Sequence, residues 1–237
     1  ASPRDYLQRP VDTICANTDG TRALLELARA TQARLLFLSS GAVYGDNPGQ
    51  AGPIAEGDFG HEDPLSPRAC YGESKRLAET LCRAYYTQYG VDTRIARISH
   101  CYGPGMRLDD GRAISDLLAD VLNDRDIQLD SDGSASRPFC YVSDTVLGLL
   151  HILLRGEPGH AYNVGETQET SILALAERLI AAAGKTGRLS VLPRARNGLA
   201  PAARSAGHFN IDKIRALGWA PLTCLDVGLS RLWQANT

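Results

Sequence analysis

No apolar run in the 237 residues approaches the roughly 20 that a membrane span requires. The opening ASPRDYLQRP also lacks the charged-then-apolar layout of a signal peptide, so the chain reads as cytoplasmic. A basic excess is missing too: 25 Lys and Arg stand against 27 Asp and Glu, for a net charge of -2. That balance excludes the electrostatic footprint of a nucleic-acid binder or of a protein held on anionic lipid. There is no Cys-x-x-Cys. The six cysteines, at 15, 70, 82, 101, 140 and 224, lie mostly in apolar segments, and buried thiols are expected rather than disulfides. The five histidines are scattered, which argues against a zinc or other metal site.

What is present is an ordinary globular composition, 43% hydrophobic and 22% charged, with length for one large domain or one domain and a small lobe. From Val11 to Ala30, Ile14, Leu24, Leu25, Leu27 and Ala28 recur at helical spacing. RLLFLSS (residues 34–40) is short, apolar and bounded by Ser and Gly, as a strand covered on both faces would be. A Gly-, Pro- and Asp-rich loop runs from Asp46 to Pro67, and loops of that length in a compact domain are usually functional. A helix from Tyr71 to Tyr89 stops at Gly90, and VDTRIARIS is the next strand. This alternation predicts a parallel α/β sheet. Shorter elements follow: helices over 111–124, 143–155 and 171–184, strands over 127–130 and 161–165, and an exposed loop over Pro193–Gly207.

Tyr71 and Lys75 are four positions apart near the start of a predicted helix, so both side chains leave one face about a turn apart. A phenol is a poor base at neutral pH, but an adjacent ammonium favours the phenolate. The pair could exchange a proton with a substrate hydroxyl. Ser40 closes a predicted parallel strand at its C-terminal end, where ligands of open α/β sheets bind, and its hydroxyl could contact the same oxygen.

SSGAVYG, YGESK, RISHCYGPG, RPFCYVSD and LGWAP occur in that order, and together they resemble the extended short-chain dehydrogenase/reductase family of NAD-dependent nucleotide-sugar epimerases, dehydratases, decarboxylases and reductases. The resemblance spans nearly the whole chain. It implies a Rossmann-like parallel sheet with a smaller C-terminal substrate-binding lobe: a partial cofactor domain over 1–110, and a lobe over 111–237 from which about 141–165 returns to the main sheet. It also implies bound NAD, or NADP, and a nucleotide-sugar substrate. Tyr71 would be the general base, Lys75 would hold the nicotinamide ribose with Ser39 beside it, and Ser40 would contact the sugar oxygen being oxidised. Arg112 and Arg137 would meet the diphosphate, with paired guanidinium donors suited to phosphate oxygens. The helices over 11–30 and 71–89 correspond to those that pair across a two-fold axis in many relatives, which implies a homodimer.

Three features depart from the family pattern. The Gly-x-x-Gly-x-x-Gly turn that cradles the cofactor pyrophosphate does not occur in these residues, so the sequence reads as N-terminally truncated. His100 stands where relatives usually have a diphosphate-contacting Asn. Ala42 stands where dehydratases and decarboxylases carry an acid. Because Ala cannot move a proton, an epimerase or ketoreductase is expected first. Yet SPRACYGESKRLAET and MRLDDGRAISDLL resemble the UDP-glucuronate decarboxylase branch, which makes decarboxylation the alternative. A non-catalytic nucleotide-sugar-binding module is the third reading.

Overall fold

The computed structural model describes residues 2–45, 52–193 and 207–237; the first part of the 46–67 loop and most of the 193–207 loop lie outside them. The chain forms two compact units. The first contains Ala1–Ser99, Thr145–Val164 and Phe209–Ala220, and the second His100–Asp144, Gly165–His208 and Pro221–Thr237. Along the first half of the chain the units part at Ser99. His100 opens the segment whose strand Cys101–Tyr102 pairs with Cys140–Tyr141 of the same unit. The return of 209–220 to the first unit is fixed by Asn210, whose N–H donates to the Ile54 carbonyl at 2.8 Å.

The first unit carries a parallel sheet with Thr93–Ile98 between Leu35–Ser40 and Ala161–Val164. All four central positions from Thr93 to Ala96 are buried, as a strand covered on both faces requires. The helices Pro10–Thr31 and Ala69–Tyr89 pack on each other and on this sheet through Leu25, Phe37, Ala78, Cys82 and Ile95. Pro10 begins its helix where a missing N–H costs nothing, and Gly90 ends the other in the left-handed region at φ 70°. Of the apolar positions read at helical spacing on the first helix, Leu25 and Ala28 are buried, whereas Leu24 and Leu27 are each 57% exposed.

In the second unit, Ala113–Leu122, Ile172–Ala182 and Leu225–Gln234 pack through Leu118, Val121, Leu175, Leu179, Leu229 and Leu232. Ser171 caps the Ile172–Ala182 helix, its Oγ accepting from the Ala174 N–H at 3.1 Å. Ile127–Leu129 pairs in parallel with Val191–Pro193, and Ser136–Pro138 pairs antiparallel with Glu169–Ser171.

The cysteines correct one expectation. All six are free thiols, but only Cys82 and Cys140 are buried; Cys15 and Cys224 are exposed. Cys15 lies on an outward position of the long helix, and Cys224 is the residue just before Leu225–Gln234. No helix among the described residues is long and apolar enough to cross a membrane.

Candidate active site

Successive residues of a strand point to opposite faces, and the paired serines separate accordingly. Ser39 is buried and its hydroxyl donates to Glu79 Oε1 at 2.5 Å. Ser40 ends the strand with extended backbone and caps the short 3-10 turn Gly41–Tyr44, its Oγ accepting from the Ala42 N–H at 3.2 Å. The Ser40 oxygen is thereby held at the C-terminal rim of the sheet.

Tyr71 is the third residue of Ala69–Tyr89, in the first turn, where unpaired N–H groups make the helix end positive. Its ring stacks on Tyr6 at 5.3 Å between centroids. One turn on, Lys75 lies over the Phe37 ring at 4.8 Å with its Nζ 6.0 Å from the centre of the Tyr71 ring. The ammonium donates to the Leu38 carbonyl at 2.9 Å, on the strand that ends in Ser40. Burial lowers the Lys75 pKa, and the Glu79 carboxylate works against that shift. Strand end, helix start and ammonium are therefore tied together by a short set of contacts within one unit.

Beside them opens a cleft of about 400 Å³ lined by Tyr71, Gly72, Ala42, Gly45 and the His61–Asp63 segment, with Tyr6, Ser66 and Arg68. Arg76, which sequence reasoning missed, fastens this loop. Its Nε donates to the Val43 carbonyl at 2.7 Å and its Nη2 to the Gly60 carbonyl at 3.1 Å, while Nη1 meets Glu73. Neither acceptor is a side chain, so no residue-type pattern marks the contact in advance. Replacing Arg76 by Met is expected to loosen this staple, and hydrogen exchange should show faster amides over 58–66 than in the parent protein. Unchanged protection there would remove Arg76 from this role.

The other expected site residues lie in the second unit. His100 is exposed, with its ring 6.0 Å from that of Phe139. Although the residue as a whole is exposed, crowding around its ring strips hydration there, and with repulsion from Arg137 and Arg112 this pulls the imidazole down to about 4, so it is uncharged at pH 7. A positive charge on His100 is thus opposed by the two cations near it. Arg112 donates through Nε to the buried Asp110 carboxylate at 2.6 Å and through Nη1 to the Cys101 carbonyl at 3.4 Å. Burial raises the Asp110 pKa, but the hydrogen bonds from the Arg112 side chain and backbone N–H outweigh it and hold the carboxyl below its usual range. Arg137 donates to the Ser136 carbonyl at 2.6 Å, and burial lowers its pKa against the pull of Glu169.

Residues 1–165 match the NAD dependent epimerase/dehydratase family. A UDP-glucuronic acid decarboxylase 1 from Xenopus tropicalis is 39% identical over 232 residues, which cover 98% of this chain and 53% of that protein. The chain spans about half the length of the curated relatives it matches. Among solved structures, RMD from Pseudomonas aeruginosa complexed with NADPH superposes with a TM-score of 0.84 at 28% identity, over 99% of this chain and 77% of that one. UDP-glucuronic acid 4-epimerase from Bacillus cereus in complex with NAD gives a TM-score of 0.75 at 26% identity, over 92% of this chain and 65% of that one.

Proposed function

This chain belongs to the NAD dependent epimerase/dehydratase family, and from that premise we propose that the whole protein is an NAD-dependent decarboxylase of UDP-glucuronate. The observation that carries this reading is the 39% identity to a UDP-glucuronic acid decarboxylase across 98% of the chain. The expectation built on Ala42, an epimerase or ketoreductase, is the less well supported of the two. NAD or NADP fits the polar groups of the site at its nicotinamide-ribose end. An ammonium has three N–H donors, and Lys75 gives one to Leu38, so others are available to ribose hydroxyls. When bound, the dinucleotide supplies the acceptor for a hydride from the sugar carbon and returns it at the end.

The chain's own residues handle the proton. Ser40 Oγ and the Tyr71 hydroxyl would meet the sugar oxygen, Tyr71 taking its proton as the alcohol becomes a ketone. Lys75 places positive charge beside that phenol. We assign the substrate diphosphate to Arg137 and Arg112, with neutral His100 as a further hydrogen-bonding group. A ketone adjacent to the carbon that bears the carboxylate makes loss of carbon dioxide feasible, because the electron pair left behind is delocalised onto the ketone oxygen.

The test is incubation of the full-length protein with NAD and UDP-glucuronate, with products identified by mass. A UDP-pentose and carbon dioxide support the reading; the 4-epimer of UDP-glucuronate without carbon dioxide would transfer it to epimerisation. A homodimer through the helices Pro10–Thr31 and Ala69–Tyr89 belongs to the same proposal, supported by the exposed Leu24, Leu27 and Leu77 on them. Light scattering of the full-length protein should give twice the monomer mass, and a monomer mass would contradict it.

A further inference from the structure

Loss of carbon dioxide beside a ketone leaves a ring carbon that must take up a proton. Ser40 and Tyr71 are both assigned to the oxygen, and Ala42, which lines the cleft with Tyr71, has no proton to give. The cleft offers two other acids, Glu62 and Asp63. Asp63 is engaged in the turn that leads into the Ala69–Tyr89 helix: its Oδ1 accepts from the Leu65 N–H at 2.9 Å, and its carbonyl from the Ser66 N–H at 2.9 Å. Glu62 reaches the part of the cleft wall formed by Gly72 and Ala42. Its Oε2 lies 3.8 Å from the point that a Cβ on Gly72 would occupy, and the same point is 3.3 Å from the Ala42 carbonyl oxygen. The carboxylate therefore sits beside the residue that follows Tyr71 and close to residue 42.

Its position is built rather than incidental. Arg76 bridges the Val43 and Gly60 carbonyls, one from the turn after Ser40 and the other two residues before Glu62. Gly45, at φ 57°, allows the loop to come in: a Cβ there would fall 2.5 Å from the His61 carbonyl oxygen. Both contacts hold the segment carrying Glu62 against the segment carrying Ala42.

We propose that Glu62 is the catalytic acid that protonates the ring carbon after decarboxylation, an assignment that rests on the decarboxylase reading above. The bond between the ring carbon and the carboxylate breaks, and carbon dioxide leaves. The electron pair of that bond stays with the sugar as an enolate, its oxygen held by the Ser40 and Tyr71 hydroxyls. Glu62 in its acid form gives its proton to the carbon, the carbonyl is restored, and the Glu62 carboxylate takes a proton back from water.

The experiment compares the full-length parent protein, Glu62→Gln, and Glu62→Gln combined with Ala42→Glu, each with NAD and UDP-glucuronate. Glu62→Gln preserves size and should melt at the parent temperature. It is expected to lower kcat for UDP-pentose formation by about 10²–10³-fold, in the range of general acid catalysis, with KM little changed. Reduced cofactor and a keto sugar should accumulate in a single turnover, since oxidation does not use Glu62. The added Ala42→Glu should recover at least about tenfold of the loss by returning an acid to the same part of the cleft. Parent-like turnover by Glu62→Gln overturns the assignment, as does a loss in which the cofactor is no longer reduced. A double variant no better than Glu62→Gln also overturns it. A parent protein that releases no carbon dioxide from UDP-glucuronate overturns the decarboxylase reading itself, which separates that failure from the failure of Glu62.

Discussion

Replacing Tyr71 by Phe in the full-length protein is expected to lower turnover by about 10²–10⁴-fold, the usual contribution of a positioned acid/base group. The change removes one oxygen and keeps the ring. The stack on Tyr6, at 5.3 Å, and the proximity of Lys75 depend on the ring and should survive, so the variant should unfold at nearly the parent denaturant concentration. Steady-state kinetics should show the loss in kcat, because in the proposed reaction the proton is transferred only as the sugar is oxidised. Turnover within about twofold of the parent would take Tyr71 out of the mechanism. A matching fall in stability would instead make it a packing residue.

The largest stability effect is expected from Arg97→Met. Arg97 Nη2 lies 2.7 Å from Glu79 Oε2, and each side chain is only 11% exposed. Its Nη1 also donates to the Tyr44 hydroxyl and to the Glu56 carbonyl, both at 2.9 Å. Burial works against the Arg97 charge, but the Glu79 carboxylate and the Tyr44 oxygen outweigh it and raise the guanidinium pKa. Tyr44 is pushed up to about 12 by burial, against the pull of Arg97, and its hydroxyl donates to Asn163 Oδ1 at 2.5 Å. Removing the guanidinium leaves Glu79 buried without its ion-pair partner, at a cost of about 3–5 kcal/mol. Urea unfolding should show a lowered midpoint with little change in slope. A loss below about 1 kcal/mol would mean that Glu79 finds water or moves out, and that the network is not a buried one.

These two residues differ in how far the sequence exposes them. The placement of Tyr71, Lys75 and Ser40 is legible because it is local: four residues on a helix and the last position of an apolar strand carry most of it. The long helices and the three parallel strands are legible for the same reason, since hydrophobic period and a Gly or Pro boundary mark each one. Glu62 and Arg76 are not. Glu62 lies in an aperiodic loop, and Arg76 acts through backbone carbonyls from two separate segments. The Arg97 network joins residues from 39 to 163, brought together by the pairing of Thr93–Ile98 with its two neighbours and by the packing of the Ala69–Tyr89 helix and the loop at Glu56 on that sheet. The short strands Cys101–Tyr102, Ser136–Pro138 and Glu169–Ser171 are too brief for any alternation to register. Leu24 and Leu27 mark the limit of that signal, since a helical period identifies a face without saying what covers it.

In the proposed reaction one sugar oxygen is held by two hydroxyls, from the end of Leu35–Ser40 and the first turn of Ala69–Tyr89. A crystal structure of the full-length Tyr71→Phe protein with NAD and UDP-glucuronate cannot report the lost hydroxyl, so the parent protein with NAD and a non-reacting UDP-glucuronate analogue is the direct measurement. It should place Ser40 Oγ and the Tyr71 hydroxyl each within about 2.6–3.2 Å of the same sugar oxygen. A sugar whose oxygens reach only one of the two, or neither, would contradict it.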